Sequence, residues 1–195
     1  VNMSIYYYIM DLKHVDDVIA SNHYGIFATQ AIAVVNIPIA IASAMSSAMI
    51  PGISASYARG SFEQTRRQVS KAIQMTMLIA VPAMVGMAVL PKPIMQFIFP
   101  QKEALDMASG LLAVLAVTIV LYGLSTLTNA VLQGIGRVNT PVLHAAIALV
   151  IQVAGLIVLL FKTQLDLYAL ACANIIYSLV MCLLNQWSVK KHLEY

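Results

Sequence analysis

Five side chains, Thr118, Tyr122, Ser125, Asn129 and Gln133, recur at spacings of four, three, four and four within an apolar stretch. At about 100° per residue they fall within about 80° of one another on a helix. Hydroxyls and primary amides donate and accept hydrogen bonds without carrying charge, so such a stripe suits recognition better than bond making. Two further stripes share the character. Thr29, Asn36, Ser43 and Ser47 lie on one face with the small Ala33 and Ala40 between them, and Asn174, Ser178 and Asn185 form another.

In hydrocarbon a lone amide is costly, so these groups must face protein or a water-filled cavity. Two readings stay open. The stripes serve as interhelical hydrogen bonds, at about 0.6 kcal/mol apiece, or they line a hydrated path for hydroxyl-rich cargo. The second reading makes Thr29, Asn36, Ser43, Thr118, Ser125, Asn129, Gln133 and Asn174 the candidate path residues.

Catalytic signatures are missing from the sequence. No Ser/His/Asp or Cys/His arrangement, paired intramembrane carboxylates or phosphate-cradling Gly-rich loop is present, and an enzyme would need one of these. His144 is the titratable nitrogen base inside a span, placed one turn from a helix start, where a satisfied interfacial histidine is expected. Asp11 sits at a helix end, where a carboxylate is usually solvated. Cys172 and Cys182 share one helix, and ten residues at about 1.5 Å rise separate them by about 15 Å, too far to bridge. No metal cluster, cofactor or nucleic-acid partner is expected; a coupling ion, Na+ or H+, is left open. The eleven methionines read as packing and lipid-facing residues.

The elements that must carry these stripes follow from composition. The chain is 61% hydrophobic and only 10% charged, with a mean hydropathy of +0.84, and so lacks the polar surface of a soluble domain. A hydrocarbon core about 30 Å thick needs about 20 apolar residues per helix. Five windows without Asp, Glu, Lys or Arg meet that need: Tyr24 to Met49, Ala72 to Leu90, Met107 to Leu132, Val142 to Leu160 and Leu167 to Leu184. A stub, Val1 to Met10, is too short to span and reads as the end of a helix. The windows are apolar on nearly all sides, unlike the alternating strands of a membrane barrel. The fold class is an all-α membrane protein, a multi-pass transmembrane bundle.

Loop charge orients it. Arg59, Arg66, Arg67, Lys71, Arg137, Lys190 and Lys191 gather at one end, while Lys13, Lys92, Lys102 and Lys162 lie with several acids at the other. The richer end is expected in the cytoplasm, with Arg66, Arg67 and Lys71 near anionic headgroups of the membrane lipids. Ser61 to Gln64 fits a capping box. Pro51 is expected to follow the first helix, Pro91, Pro93 and Pro100 to fill an outer loop, Pro141 to open a helix, and Pro38 and Pro82 to kink their spans.

Three strings resemble a known family: Asn36 to Ala40 (NIPIA), Met49 to Ser54 (MIPGIS) and, most specifically, Leu127 to Asn139 (LTNAVLQGIGRVN). They are similar to the polysaccharide and lipid-linked oligosaccharide flippases of the MATE-like superfamily, the group that includes stage V sporulation protein B and the lipid II flippases. The resemblance covers essentially the whole chain, residues 1–195. It implies one lobe of a MATE-like transporter, the C-terminal one, from the end of the family's seventh helix through its twelfth, paired with an N-terminal lobe. It implies alternating access, in which a sugar headgroup crosses a central cavity while the lipid tail stays in the bilayer. The implied partners are a lipid-linked sugar, membrane lipids and the other lobe; the implied place is the bacterial plasma membrane, in peptidoglycan synthesis, polysaccharide export or sporulation. Several lipid II flippases carry an arginine in the eighth helix, whereas Tyr24 to Met49 has no charge, so pyrophosphate binding would fall to the N-terminal lobe. A cation-coupled drug exporter of the same superfamily and a non-transporting envelope scaffold are the alternatives.

Overall fold

The computed structural model describes residues 2–99, 104–162 and 166–193. They form helices α1 (Asn2–Leu12), α2 (Asp17–Gly25), α3 (Ile32–Ala58), α4 (Phe62–Val89), α5 (Pro91–Ile98), α6 (Leu105–Leu115), α7 (Val117–Gly134), α8 (Asn139–Lys162) and α9 (Asp166–Leu193), with a π-helical segment, Ile26–Ala31, joining α2 to α3. No strand occurs among the described residues. Five stretches are long and apolar enough to cross a membrane: Asp17–Ala58, Phe62–Val89, Val117–Gly134, Asn139–Phe161 and Leu167–Leu193. The all-α multi-pass bundle expected from composition is the fold observed.

α7 is the hub. It packs on α3, α4 and α9, while α8 lies chiefly against α9. Close approach is made possible by small residues. Gly123 is buried, and a Cβ there would stand 3.3 Å from Thr76 Cγ2, 3.7 Å from Ala80 Cβ and 3.8 Å from Ala42 Cβ. With little hydrophobic drive between helices in lipid, such backbone proximity supplies the dispersion contacts that hold a bundle.

The two ends are stitched differently. At the basic end, Ile53, Val69, Val131, Leu132, Val189 and Leu193 form one buried cluster. There Arg66 Nε donates to the Leu193 carbonyl at 2.6 Å, and Ser54 Oγ donates to the Gly134 carbonyl at 2.6 Å. α3 and α7 both stop there in the same way. Ser61 N bonds Ser56 O and Arg137 N bonds Leu132 O, with Gly60 (φ +71°) and Gly136 (φ +80°) holding the left-handed position that ends each helix. At the opposite end Lys92 Nζ pairs with Asp106 Oδ1 at 2.7 Å. The α1–α2 turn is closed by His14 at φ +56° and by Asp16, which caps α2 through the Val18 amide at 2.8 Å. Among the described residues the loops grouped by charge therefore share ends in space; Lys102 lies outside the described residues.

Several local expectations are corrected. Pro51 does not end the first span, since α3 runs on through it to Ala58; Pro38 and Pro82 lie inside α3 and α4 as expected. Neighbouring helices accept a proline where water would otherwise have to satisfy the freed carbonyl. Pro91 and Pro93 belong to helix α5, whose first positions need no amide donor; Pro100 lies outside the described residues. The single helix expected over Met107 to Leu132 breaks at Ala116, where Thr118 Oγ1 donates to the Leu115 carbonyl at 2.6 Å and Ile119 N bonds Ala116 O at 3.1 Å. Ser61 does cap α4 by position, but its side chain makes no cap bond. At φ −84° and ψ 66° its hydroxyl is not aimed at the Gln64 amide, and Thr65 instead donates to the Ser61 carbonyl through both its amide and its hydroxyl.

Candidate functional site

The predicted stripe of α7 is real as a face and divided in use. Tyr122 and Thr118 sit toward the α6 end. They meet α3 and α9 around a cavity of about 310 Å³ lined by Ile32, Val35, Asn36, Ile39, Thr118, Tyr122 and Asn174. That is the low end of the roughly 300–1,000 Å³ typical of small-molecule pockets. Tyr122 Oη donates to Asn174 Oδ1 at 2.8 Å, leaving the Asn174 amide hydrogens for another acceptor. Asn36 is exposed at the mouth and presents both a donor and an acceptor. The Tyr177 ring lies 6.1 Å from that of Tyr122, tilted by 39°.

One turn further along α7 the same face is sealed. Asn185 of α9 is fully buried; its Nδ2 donates to Asn129 Oδ1 at 2.7 Å and to Ser125 Oγ at 3.4 Å. Its Oδ1 therefore faces His144 Nδ1 of α8, 2.7 Å away, which makes that ring nitrogen the donor. The network ties α7, α8 and α9 together, and buried polar groups in hydrocarbon require such pairing. His144 is the satisfied histidine the sequence suggested.

The eight candidate residues thus separate. Asn36, Thr118 and Asn174 meet at the cavity, although the Thr118 hydroxyl is already committed to the Leu115 carbonyl. Ser125 and Asn129 meet in the sealed network. Thr29 is exposed, with its hydroxyl on the Gly25 carbonyl at 2.7 Å beside the π-helical segment; Ser43 is half-buried and Gln133 exposed, outside both groups. Tyr122, not among the eight although it lay in the stripe, ties α7 to α9 at the cavity through its bond to Asn174. Asn185 was visible only as part of the α9 stripe, and its spacing alone did not say which helix it would meet.

Two larger hollows have poorer chemistry. A groove of about 400 Å³ between α1 and α8 is walled by Ser4, Ile5, Tyr8, Ile9, Ile157 and Phe161, and is nearly all apolar. A shallow hollow of about 460 Å³ lies by Tyr7, Asp17, Val18, Ser21 and Asn22 at the end away from the basic loops. Neither joins convergent polar groups from several spans. No group of three or more His, Cys, Asp or Glu side chains among the described residues could hold a metal ion.

Comparison with known proteins gives a consistent picture. Residues 27–158 match the family described as MatE. The chain is also 27% identical over 168 residues to the lipid II flippase MurJ of Bacillus subtilis (strain 168), an alignment that covers 83% of the chain and 29% of that protein. The chain therefore spans less than a third of the curated relative it matches. No solved structure matches it.

Proposed function

The chain belongs to the MatE family, multi-pass proteins of the plasma membrane, and from that premise we propose that it is the C-terminal lobe of a flippase for lipid-linked sugars. In this reading the cavity between α3, α7 and α9 receives uncharged, hydroxyl-bearing parts of the cargo while the chain's other lobe closes over it. The similarity to a lipid II flippase supports a peptidoglycan precursor as the cargo, and polysaccharide or sporulation intermediates share the same sugar chemistry.

One observation carries the proposal. The three helices around the cavity contain no Asp, Glu, Lys or Arg from Val18 to Ala58, Val117 to Gly134 and Leu167 to Val189, yet they bring two amides and a phenol to one opening. Charge-free donors and acceptors fit hydroxyls; an organic cation would call for a carboxylate. The uncovered faces of two helices agree. α3 leaves Ala33, Asn36, Ala40, Ala44, Ser47 and Ala48 exposed beside two isoleucines, Ile37 and Ile41, whereas α8 exposes Val142, Leu143, Ile147, Val150, Ile151, Val158 and Phe161. The first face suits water or a closely packed protein surface, the second suits acyl chains.

The test is reconstitution of the protein carrying this chain with its other lobe in vesicles, following a labelled lipid-linked sugar across the bilayer. Replacing Asn36 and Asn174 together by Leu should slow movement roughly tenfold or more, since amide contacts to a bound hydroxyl are worth about a kcal/mol each. An unchanged rate would mean that the cavity is not on the path, and no movement by the unaltered protein would favour a scaffold. Imposing a Na+ or an H+ gradient in the same vesicles identifies the coupling ion.

A further inference from the structure

The outward face of the α9 C-terminal segment carries a feature that cargo movement does not use. α9 has 28 residues, about 42 Å of helix, whereas a hydrocarbon core of about 30 Å occupies about 20 of them. Counted from Leu167, the apolar layer ends near Gln186, and the last two turns stand in the headgroup region. Along one side of the helix, Leu179, Leu183 and Trp187 follow at intervals of four and are 44%, 59% and 63% exposed. Lys190 and Lys191, three and four residues beyond Trp187, continue that side and are exposed as well. Lys191 Nζ lies 5.5 Å from the centre of the indole ring.

The carbonyls at the end of α9 do not account for these lysines. The Leu193 carbonyl accepts from Arg66 Nε, and His192 Nδ1 lies 2.8 Å from the Ser188 carbonyl. Among the described residues neither lysine ammonium has a carboxylate partner. Two ammonium groups without a carboxylate partner among the described residues therefore project beside an indole at the level where apolar chains give way to headgroups. Indoles prefer that level, and each lysine there attracts negative lipid charge.

We propose that Trp187, Lys190 and Lys191 form a docking site for the headgroup of an anionic phospholipid in the leaflet at the basic end. The indole settles against the glycerol region, and the two ammonium groups contact the phosphate. Leu179 and Leu183 lie along the upper acyl chain. The site is on the lipid side of α9, is independent of which cargo the cavity takes, and involves no residue of the cavity or of the Asn185 network.

Trp187 is the sole tryptophan of the chain, so its emission reports on this site alone. The chain is placed in phosphatidylcholine vesicles containing brominated phosphatidylglycerol or, at equal mole fraction, brominated phosphatidylcholine. The expected result is stronger quenching by the anionic lipid, corresponding to a local preference of roughly fivefold per lysine. That excess should disappear with Lys190→Gln plus Lys191→Gln, shrink in high salt, and survive Lys190→Arg plus Lys191→Arg. Equal quenching by the two lipids, or an excess that persists in the double glutamine variant, would overturn the proposal. Helical circular dichroism of each variant confirms that the comparison is made between folded chains.

Discussion

Tyr122 and Asn129 stand seven residues apart on the same side of α7, and they meet opposite environments. Tyr122 leans with Asn174 into an opening whose mouth is the exposed Asn36. Asn129 is locked by Asn185, which is itself held by His144. The difference lies in what the neighbouring helices contribute. α3 brings an amide and small residues toward the first site and leaves room. α8 brings an imidazole to the second and fills it. A stripe of polar residues in a membrane helix is thus a pattern of needs, and each need is met by whichever helix passes nearest.

The sharpest way to break this contrast is Asn185→Leu. It removes two bonds of 2.7 Å and takes that partner from the buried His144 Nδ1 and the half-buried Asn129 Oδ1. The expected loss is about 2–4 kcal/mol of unfolding free energy in detergent micelles. A loss below about 0.5 kcal/mol would mean that the network is not sealed.

Tyr122→Phe addresses the open half and should act on transport rather than on stability. Removing the hydroxyl frees Asn174 from its partner, so cargo movement is expected to fall roughly tenfold, while stability changes by less than about 1 kcal/mol, the usual worth of an interhelical bond. A large stability loss with normal transport would reverse the roles assigned to the two halves. Gly123→Ala, between them, introduces a Cβ 3.3 Å from Thr76 Cγ2. A cost of about 1 kcal/mol is expected in the same micelle unfolding, at the low end for an added methyl in a packed core. The smallest effect belongs to Gln133→Leu: because Gln133 is exposed outside both groups, stability should hold within about 0.5 kcal/mol and transport should be unchanged.

The helical class and the number of spans were legible because hydrocarbon thickness sets helix length and composition alone meets or fails it. Which loops share an end was legible too, since charge is sorted across a membrane. The break at Ala116 was not. Alanine favours helix, and the interruption arises from the Thr118 hydroxyl on the Leu115 carbonyl and from how α6 and α7 pack. The spans' polar residues were visible as faces, but spacing gives a side chain's azimuth on its own helix and says nothing of the partner. That is why Gln133 was grouped with Asn129. The two share a stripe, yet Gln133, in the last turn of α7, stays exposed while Leu132 beside it packs in the cluster with Val189 and Leu193 of α9. His144 could be placed in a span from sequence, whereas its tautomer became determinate only once the Asn185 amide was oriented by Asn129.

A hydrated path between α3, α7 and α9 requires the opening beside Asn36 to be wet while the exposed face of α8 is in lipid. With Cys172 and Cys182 replaced by Ala, single Asn36→Cys and Val150→Cys variants can be compared in membranes by their rates of reaction with a charged, water-soluble methanethiosulfonate. The reagent needs an ionised thiol and hence local water. The prediction is rapid modification at position 36, slowed by lipid-linked sugar, and little at position 150. Equal rates at both positions, or faster reaction at position 150, would contradict a hydrated path between α3, α7 and α9.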